Sequence, residues 1–518
     1  MSKLKVFLFY AIFVLVIAGF SGVADTGLIA GPIGEGAVVN RTNLNFGMIT
    51  GHNPPGQTFT ISAPPCLNWN ITVDRHWLVC TPTSGSGSGT VTATVLACQN
   101  PSGTYTGTIT VSDDYDPLTP QTIDVTLNVY SPGQSSPPFG SFDTPENNST
   151  VRSSVPFTGW VLDDVGVENV KLYRGQGSQL VYIGDAVQVE GARPDVEQLF
   201  PDYPENYKSG WGYMMLTNFL PNGGNGTYEI HAIARDRDGY ETSLGSKTII
   251  CDNEHAVKPF GAIDAPSQGG IASGTDYINW GWALTPQPKH IPTDGSTINV
   301  FVDGVDKGHP HYNNYRQDIA ELFPDYANSD GAVGYFYLDT TGYADGVHTI
   351  YWTATDNEGH TDGIGSRYFS ISNTDGDERS SAQALNHSHV SKMSRMSRII
   401  DIPVDDGEPI GVTRGFSNDN PFEKVSAAEK GIYHITMKEL DRVEIDLSSR
   451  MELIAGYMMS GDQLRSLPIG STLDTKNRKF YWNPGLAFVG EYRFVFIFKE
   501  GRNERVKNIV VKIEPKFE

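Results

Sequence analysis

The chain has 518 residues, and at roughly 100 to 200 residues per domain that length calls for several cores rather than one. Lys and Arg total 38 against 60 Asp and Glu, a formal charge of −22, which disfavours a nucleic-acid binder because affinity for phosphate comes from clustered cations. Aromatic residues at 11% can fill cores, while 55 Gly and 31 Pro without collagen period suit a folded chain with many turns.

Residues 1–5 carry two lysines, residues 6–20 form an apolar run interrupted only by Tyr10 and Gly19, and Gly22-Val23-Ala24 stands before Asp25. A charged start, a short apolar stretch and small residues at the cleavage point are what the export machinery reads, so residues 1–24 are expected to be a signal peptide. The run falls short of the roughly 20 residues needed to cross a bilayer. No second stretch of that length follows, so no membrane span is expected after cleavage. The expected location is outside the cytoplasm: secreted, on the cell surface or in the periplasm. Cys66, Cys80, Cys98 and Cys251 lack the paired spacing of a zinc site, and at most one disulfide is expected, among the first three.

Residues 35–131 read as short alternating segments, at 58–62, 69–73, 90–96, 107–112 and 122–129, rich in Thr, Val, Ile and Trp. Closely spaced strands with turns such as Ser84-Gly85-Ser86-Gly87 between them specify an antiparallel sandwich. The segments LNFGMITG, WNITVDRHWLVCTPTSGSGSGTVTATV, GTYTGTITVSD and TIDVTLNVY resemble a BACON domain, an all-β module of secreted bacterial proteins often found beside carbohydrate-active domains.

An internal repeat follows. PFGSFDTP at Pro138 returns as PFGAIDAP at Pro259, Gly159-Trp160 returns as Gly281-Trp282, and FPDY at Phe200 returns at Phe323. Gly212-Tyr213 returns as Gly334-Tyr335, and Gly245-Ser246 as Gly365-Ser366. Residues 138–252 and 258–372 are therefore read as two copies of an immunoglobulin-like sandwich, and both resemble bacterial Ig-like repeats of large secreted proteins. Each copy carries an excursion, 191–209 and 309–330, in which 194–200 and 317–323 have the acidic start and apolar spacing of a short helix.

Residues 373–398 are nearly free of large apolar groups and cannot offset their ordering entropy, so they are read as a flexible linker in which His387 and His389 are solvated. Residues 399–518 resume β character. Their Phe480-Tyr481-Trp482-Asn483-Pro484 and Gly490-Glu491-Tyr492-Arg493-Phe494 resemble an Ig or cadherin-like module of bacterial surface proteins. The Pro-containing junction at 131–137 favours a semi-rigid rod, with the module after the linker expected to move independently.

No Gly-x-Ser-x-Gly elbow, His-Glu-x-x-His helix or P-loop occurs, and no unassigned stretch is long enough for a conventional catalytic domain, so the chain is expected not to be an enzyme. For a cofactor the expectation is none, with calcium as the alternative. Asp236 and Asp238, and their counterparts Asp356 and Glu358, place carboxylates two apart beside sharp turns, with Asp143 or Asp264 available across the junction. The same residue types favour hairpin turns for their own backbone reasons. His309-Pro310-His311 has no matching cluster in the first repeat and is not read as a metal site.

Carbohydrate recognition would use exposed rings, because a sugar's C–H face packs on aromatic surface. The candidates are Trp211, Tyr213, Tyr203 and Tyr207 around the first excursion, and Tyr312, Tyr315, Tyr326, Tyr335 and Tyr337 around the second. Trp160, Trp282, Phe200 and Phe323 are assigned to cores. Arg193 with Asp195, and Arg316 with Asp318, are read as staples that pin each excursion. The expected whole is an all-β chain of tandem antiparallel β-sandwiches, immunoglobulin-like, with short helical excursions in the two central repeats. Its expected work is adhesion or recognition of a glycan or of an extracellular or envelope protein. The alternatives are a structural spacer or self-associating surface protein, and the accessory domains of a polysaccharide-acting enzyme.

Overall fold

The computed structural model describes residues 36–517 apart from 64–65, 116–118, 374–401, 406, 417–419, 462 and 502. The signal peptide expected at 1–24 lies outside the described residues, as does the linker after Asn373, with His387 and His389. The described residues belong to one compact unit, Glu35–Glu518.

Alternation of side chains builds the sheets. In the strand Gln121–Tyr130, Ile123, Val125, Leu127 and Val129 are buried while the residues between them face outward, as period two requires. Eight sheets form four face-to-face sandwiches, the first three pairing a four-stranded with a five-stranded sheet and the last pairing two of five. The sheets are antiparallel except for one closing pair in each sandwich, where an early strand runs parallel to the last. An example is Asn43–Ile49 beside Asp124–Tyr130. Each sandwich has its own buried cluster: Phe46, Phe59 and Trp77 in the first, Phe157 and Trp211 in the second, Trp352 and Phe369 in the third, Trp482 and Phe480 in the fourth. All four cysteines are free, and burial pushes the Cys80 and Cys251 thiols up to about 11 and about 12.

The two repeats share the same strand order, yet their cores are filled from opposite sides. Trp160 pairs with Gly210 across the strands Ser154–Leu162 and Gly210–Leu216, whereas Trp282 pairs with Val333 across Tyr277–Leu284 and Val333–Leu338. Structurally, then, Trp211 occupies the position of Gly334, and Gly212 that of Tyr335. The indole of Trp211 fills the first core, with Ala232 opposite it in the neighbouring sheet. In the second core the indole comes from Trp352, the counterpart of Ala232, and a Cβ on Gly334 would sit 3.3 Å from it. The Trp352 indole N–H donates to Asn279 Oδ1 at 2.6 Å, so the buried donor is satisfied.

The fourth sandwich does not move independently: it packs on both repeats. Gly212 of the first repeat meets Leu486, and a Cβ there would lie 2.6 Å from that side chain. Tyr492 donates its hydroxyl to the Ala192 carbonyl and Tyr368 to the Leu486 carbonyl, both at 2.6 Å. On the second repeat, the Asp303-Gly304 hairpin tip accepts from Arg442 Nε at 2.7 Å and from Thr472 Oγ1 at 2.9 Å. Phe416 stacks on Tyr351 with ring centres 4.9 Å apart. The fourth module thus meets a sheet face of the first repeat and, on the second, a hairpin tip together with the strands Gly346–Thr355 and Thr361–Ile371.

Candidate functional site

The excursions are held as the sequence suggested, with one more partner each. Arg193 forms a fork on Asp195, at 2.9 and 2.7 Å, and reaches Asp143 at 2.5 Å. Arg316 repeats the arrangement with Asp318, at 2.6 and 2.8 Å, and with Asp264. Charge-assisted forks of this kind fix orientation as well as adding energy. They hold the short helices Pro194–Leu199 and Gln317–Leu322 over the sheet. Asp143 and Asp264 are therefore partners of arginine.

The carboxylates considered for calcium are occupied by the turns. Asp236 is fully buried, and its Oδ1 accepts the N–H groups of Asp238, Gly239 and Tyr240 at 2.6–2.9 Å. Asp238 accepts from Gly133 N–H and Ser135 Oγ, both at 2.8 Å, and so ties the first sandwich to the second. Asp356 Oδ1 accepts from the N–H groups of Glu358 and His360, and its Oδ2 from Thr285 Oγ1. Glu358 lies beside His360 at 4.0 Å. Among the described residues no group of three or more His, Cys, Asp or Glu is arranged to hold a metal.

The candidate rings divide sharply. Trp211, Tyr207 and Tyr312 are buried and offer no face to a sugar. Tyr207 lies under the Arg41 guanidinium at 3.5 Å, and Tyr312 donates to the Ala283 carbonyl at 2.7 Å. Tyr213 is half-buried against the first core. Tyr203 and Tyr326 are half-buried in matching edge-on clusters, the first with Phe139 and Phe200, the second with Phe260 and Phe323. Trp282 and Phe323 are core, as expected, while Trp160 and Phe200 are only half-buried. Tyr315 and Tyr337 are exposed, and Tyr335 is half-buried between Tyr337 and His311.

Those three belong to a larger surface. On the strand Tyr277–Leu284 the outward side chains are Ile278 and Trp280, 49% and 40% exposed, followed by Trp282 under the excursion. Across the ladder Trp280 faces Tyr335 and Ile278 faces Tyr337, and Tyr337 is 51% exposed. His311 from the next strand faces Tyr335, with ring centres 5.1 Å apart, and Tyr335 meets Tyr337 edge-on at 5.6 Å. The Arg316 guanidinium lies 5.7 Å from the Trp280 ring centre, and Tyr315 beside it is exposed. The result is a continuous open strip of rings on three strands.

The same face in the first repeat is closed. There the corresponding positions are Pro156, Thr158, Gly212 and Met214. Thr158 is buried and shares the Glu439 carboxylate with Thr144, Gly212 abuts Leu486, and Met214 packs on the fourth module's core. Trp280 was absent from the sequence-derived candidates. The signal that could have found it is its place two residues before Trp282, hence on the same face, at the position where the first repeat has Thr158.

Residues 138–232 match the bacterial Ig domain family Big_7. No curated protein matches the chain. Solved structures with similarity include the GH5 xyloglucanase of Bacteroides ovatus in complex with a heptasaccharide, 24% identical over 22% of this chain and 21% of that one, with a TM-score of 0.16. A three-immunoglobulin titin fragment is 10% identical over 66% of this chain and 99% of its own, with a TM-score of 0.16. The N-terminal eight Ig domains of Down Syndrome Cell Adhesion Molecule are 10% identical over 93% of this chain and 55% of theirs, with a TM-score of 0.18. The chain spans about a fifth of the xyloglucanase it resembles. It is built of Ig-like β-sandwiches, and its residues 138–232 match a bacterial Ig domain.

Proposed function

We propose that this is an exported, non-enzymatic recognition protein that binds carbohydrate through the open face of its second repeat, the other sandwiches holding that face in place. One observation carries the reading. Two copies of one module expose the same sheet face to different fates. Where the fourth sandwich covers it the side chains are Pro156, Thr158, Gly212 and Met214, and where no described residue covers it they are Ile278, Trp280, Tyr335 and Tyr337. Exposed rings grouped on one rigid sheet cost solubility and are retained where they contact a partner. A sugar's C–H face suits them, and the resemblance of the first sandwich to BACON modules points the same way. Binding is the expected activity, without turnover.

A glycan array probed with the intact chain and with Trp280→Ala tests the reading. Reproducible hits lost in the variant, with unchanged thermal melting, support it. Silence across the array favours the alternative of a structural spacer, to which a string of Ig-like sandwiches is equally suited.

A further inference from the structure

The ring strip differs from a sugar pocket in three respects. It is open: Ile278, Trp280 and Tyr337 are 49%, 40% and 51% exposed, and neither the cavity of about 230 Å³ between Arg41, Tyr207 and Arg465 nor that of about 780 Å³ around Asp405 and Arg450 shares a lining residue with it. It is broad enough for roughly two sugar units: residues two apart on a strand are about 7 Å apart, and three strands cover about 10 Å across. Its polar atoms are those of the rings themselves, the Trp280 indole N–H, the Tyr335 and Tyr337 hydroxyls and the His311 imidazole, and its charged edge is negative. Arg316, the cation at its edge, is already shared by Asp264 and Asp318, which leaves that end with a net negative charge in a chain of charge −22.

Each respect narrows the ligand. An open, flat surface accepts the internal units of a chain rather than a chain end, which needs enclosure. Contact dominated by rings favours sugars with an unbroken C–H face, the ring-borne N–H and O–H groups reading the hydroxyls at its edge. A rim of net negative charge repels uronic and sialic acids at any distance short of screening. The small side chains that dock the fourth sandwich on the first repeat are absent here. Trp280 replaces Thr158 and Tyr335 replaces Gly212, so a second copy of that sandwich cannot seat in the same way.

Resting on the carbohydrate reading above, we propose that the Ile278, Trp280, Tyr335 and Tyr337 face binds internal stretches of an uncharged, linear glycan of flat, β-linked sugar units, lying across the strands with its C–H faces on the rings.

The test is titration calorimetry on the full chain with glucose, cellobiose, cellohexaose, mannohexaose and polygalacturonate. The expected result is binding that strengthens at least tenfold from glucose to cellobiose or one of the hexasaccharides, with polygalacturonate inert. Trp280→Ala and Tyr337→Ala should each weaken the hexasaccharide at least tenfold without lowering the melting temperature. Because both side chains lie on the surface, outside the buried cores, neither variant is expected to disturb folding. Tighter binding of glucose or of polygalacturonate would overturn this inference and leave a carbohydrate reading standing. Absence of binding to all five probes, together with a concentration-dependent dimer broken by Trp280→Asp, would overturn both and make the face a contact between copies.

Discussion

Asp163 offers a substitution that the chain itself suggests. It lies at the end of the strand Ser154–Leu162, only 1% exposed, beside the buried Asp236 that caps the 236–240 turn. In the second repeat the pair is Thr285 and Asp356, where the threonine hydroxyl donates to Asp356 Oδ2 at 3.1 Å. In the first repeat the Oδ2 atoms of both Asp163 and Asp236 are buried and find no donor among the described residues. A proton held on Asp163 would replace the missing hydroxyl. Burial pushes its carboxyl up to about 7, the Val165 N–H opposing and repulsion from Asp236 adding.

The sign follows from linkage. A carboxyl whose folded value is raised binds more protons in the native state, so stability is greatest below the unfolded value of 3.8 and falls as pH rises through about 7. A displacement of this size corresponds to at most about 4 kcal/mol above that pH. Asp163→Thr removes the charge and restores the donor, but gives up the 2.7 Å bond from Val165 N–H, worth about 1 kcal/mol. The expected net gain at pH 8 is about 1–3 kcal/mol, a few degrees of melting temperature, shrinking to nothing or reversing at pH 4. Calorimetric melts of both proteins from pH 4 to 9 measure it. A difference that does not change with pH, or a variant that melts lower at pH 8, would refute the shared proton.

Two further outcomes follow from the docking of the fourth sandwich. Glu439 is buried between that module and Thr144 and Thr158, and burial pushes its carboxyl up to about 7 against the opposing Lys516 N–H and threonine hydroxyls. Docking is therefore expected to weaken as pH rises through 7, and Glu439→Gln to abolish that trend, as read by hydrogen exchange at residues 189–192. Gly212→Val places carbon where Leu486 and the Ala487 N–H already lie, 2.6 and 2.8 Å from a Cβ, so overpacking should cost about 1–3 kcal/mol and release the module. Small-angle scattering would show the expansion, and an unchanged profile would contradict the interface.

Strand pattern, the tandem repeat and the arginine staples could be read from sequence because each is local or recurs at a fixed offset. The short helix at Gln317–Leu322 also follows from its own residues. The site could not be read in this way, for two physical reasons. Matching Gly212-Tyr213 with Gly334-Tyr335 misses the true pairing by one residue, and a one-residue slip exchanges the two faces of a strand. Trp211 and Tyr213 were therefore expected outside, whereas both face the first core. The other reason is distance: whether a sheet face is open depends on where the fourth sandwich docks, through contacts such as Leu486 on Gly212, far apart in the chain. Nothing near Trp280 in sequence signals that its face is left uncovered.

Hydroxyl-radical footprinting of the intact chain, with and without cellohexaose, probes the contrast between the two repeats directly. The account predicts strong labelling of Trp280 and Tyr337, little labelling of Trp211 and Met214, and protection by the oligosaccharide confined to the second repeat's strip. Labelling of Met214 equal to that of Tyr337, with no protection at Trp280, would contradict it.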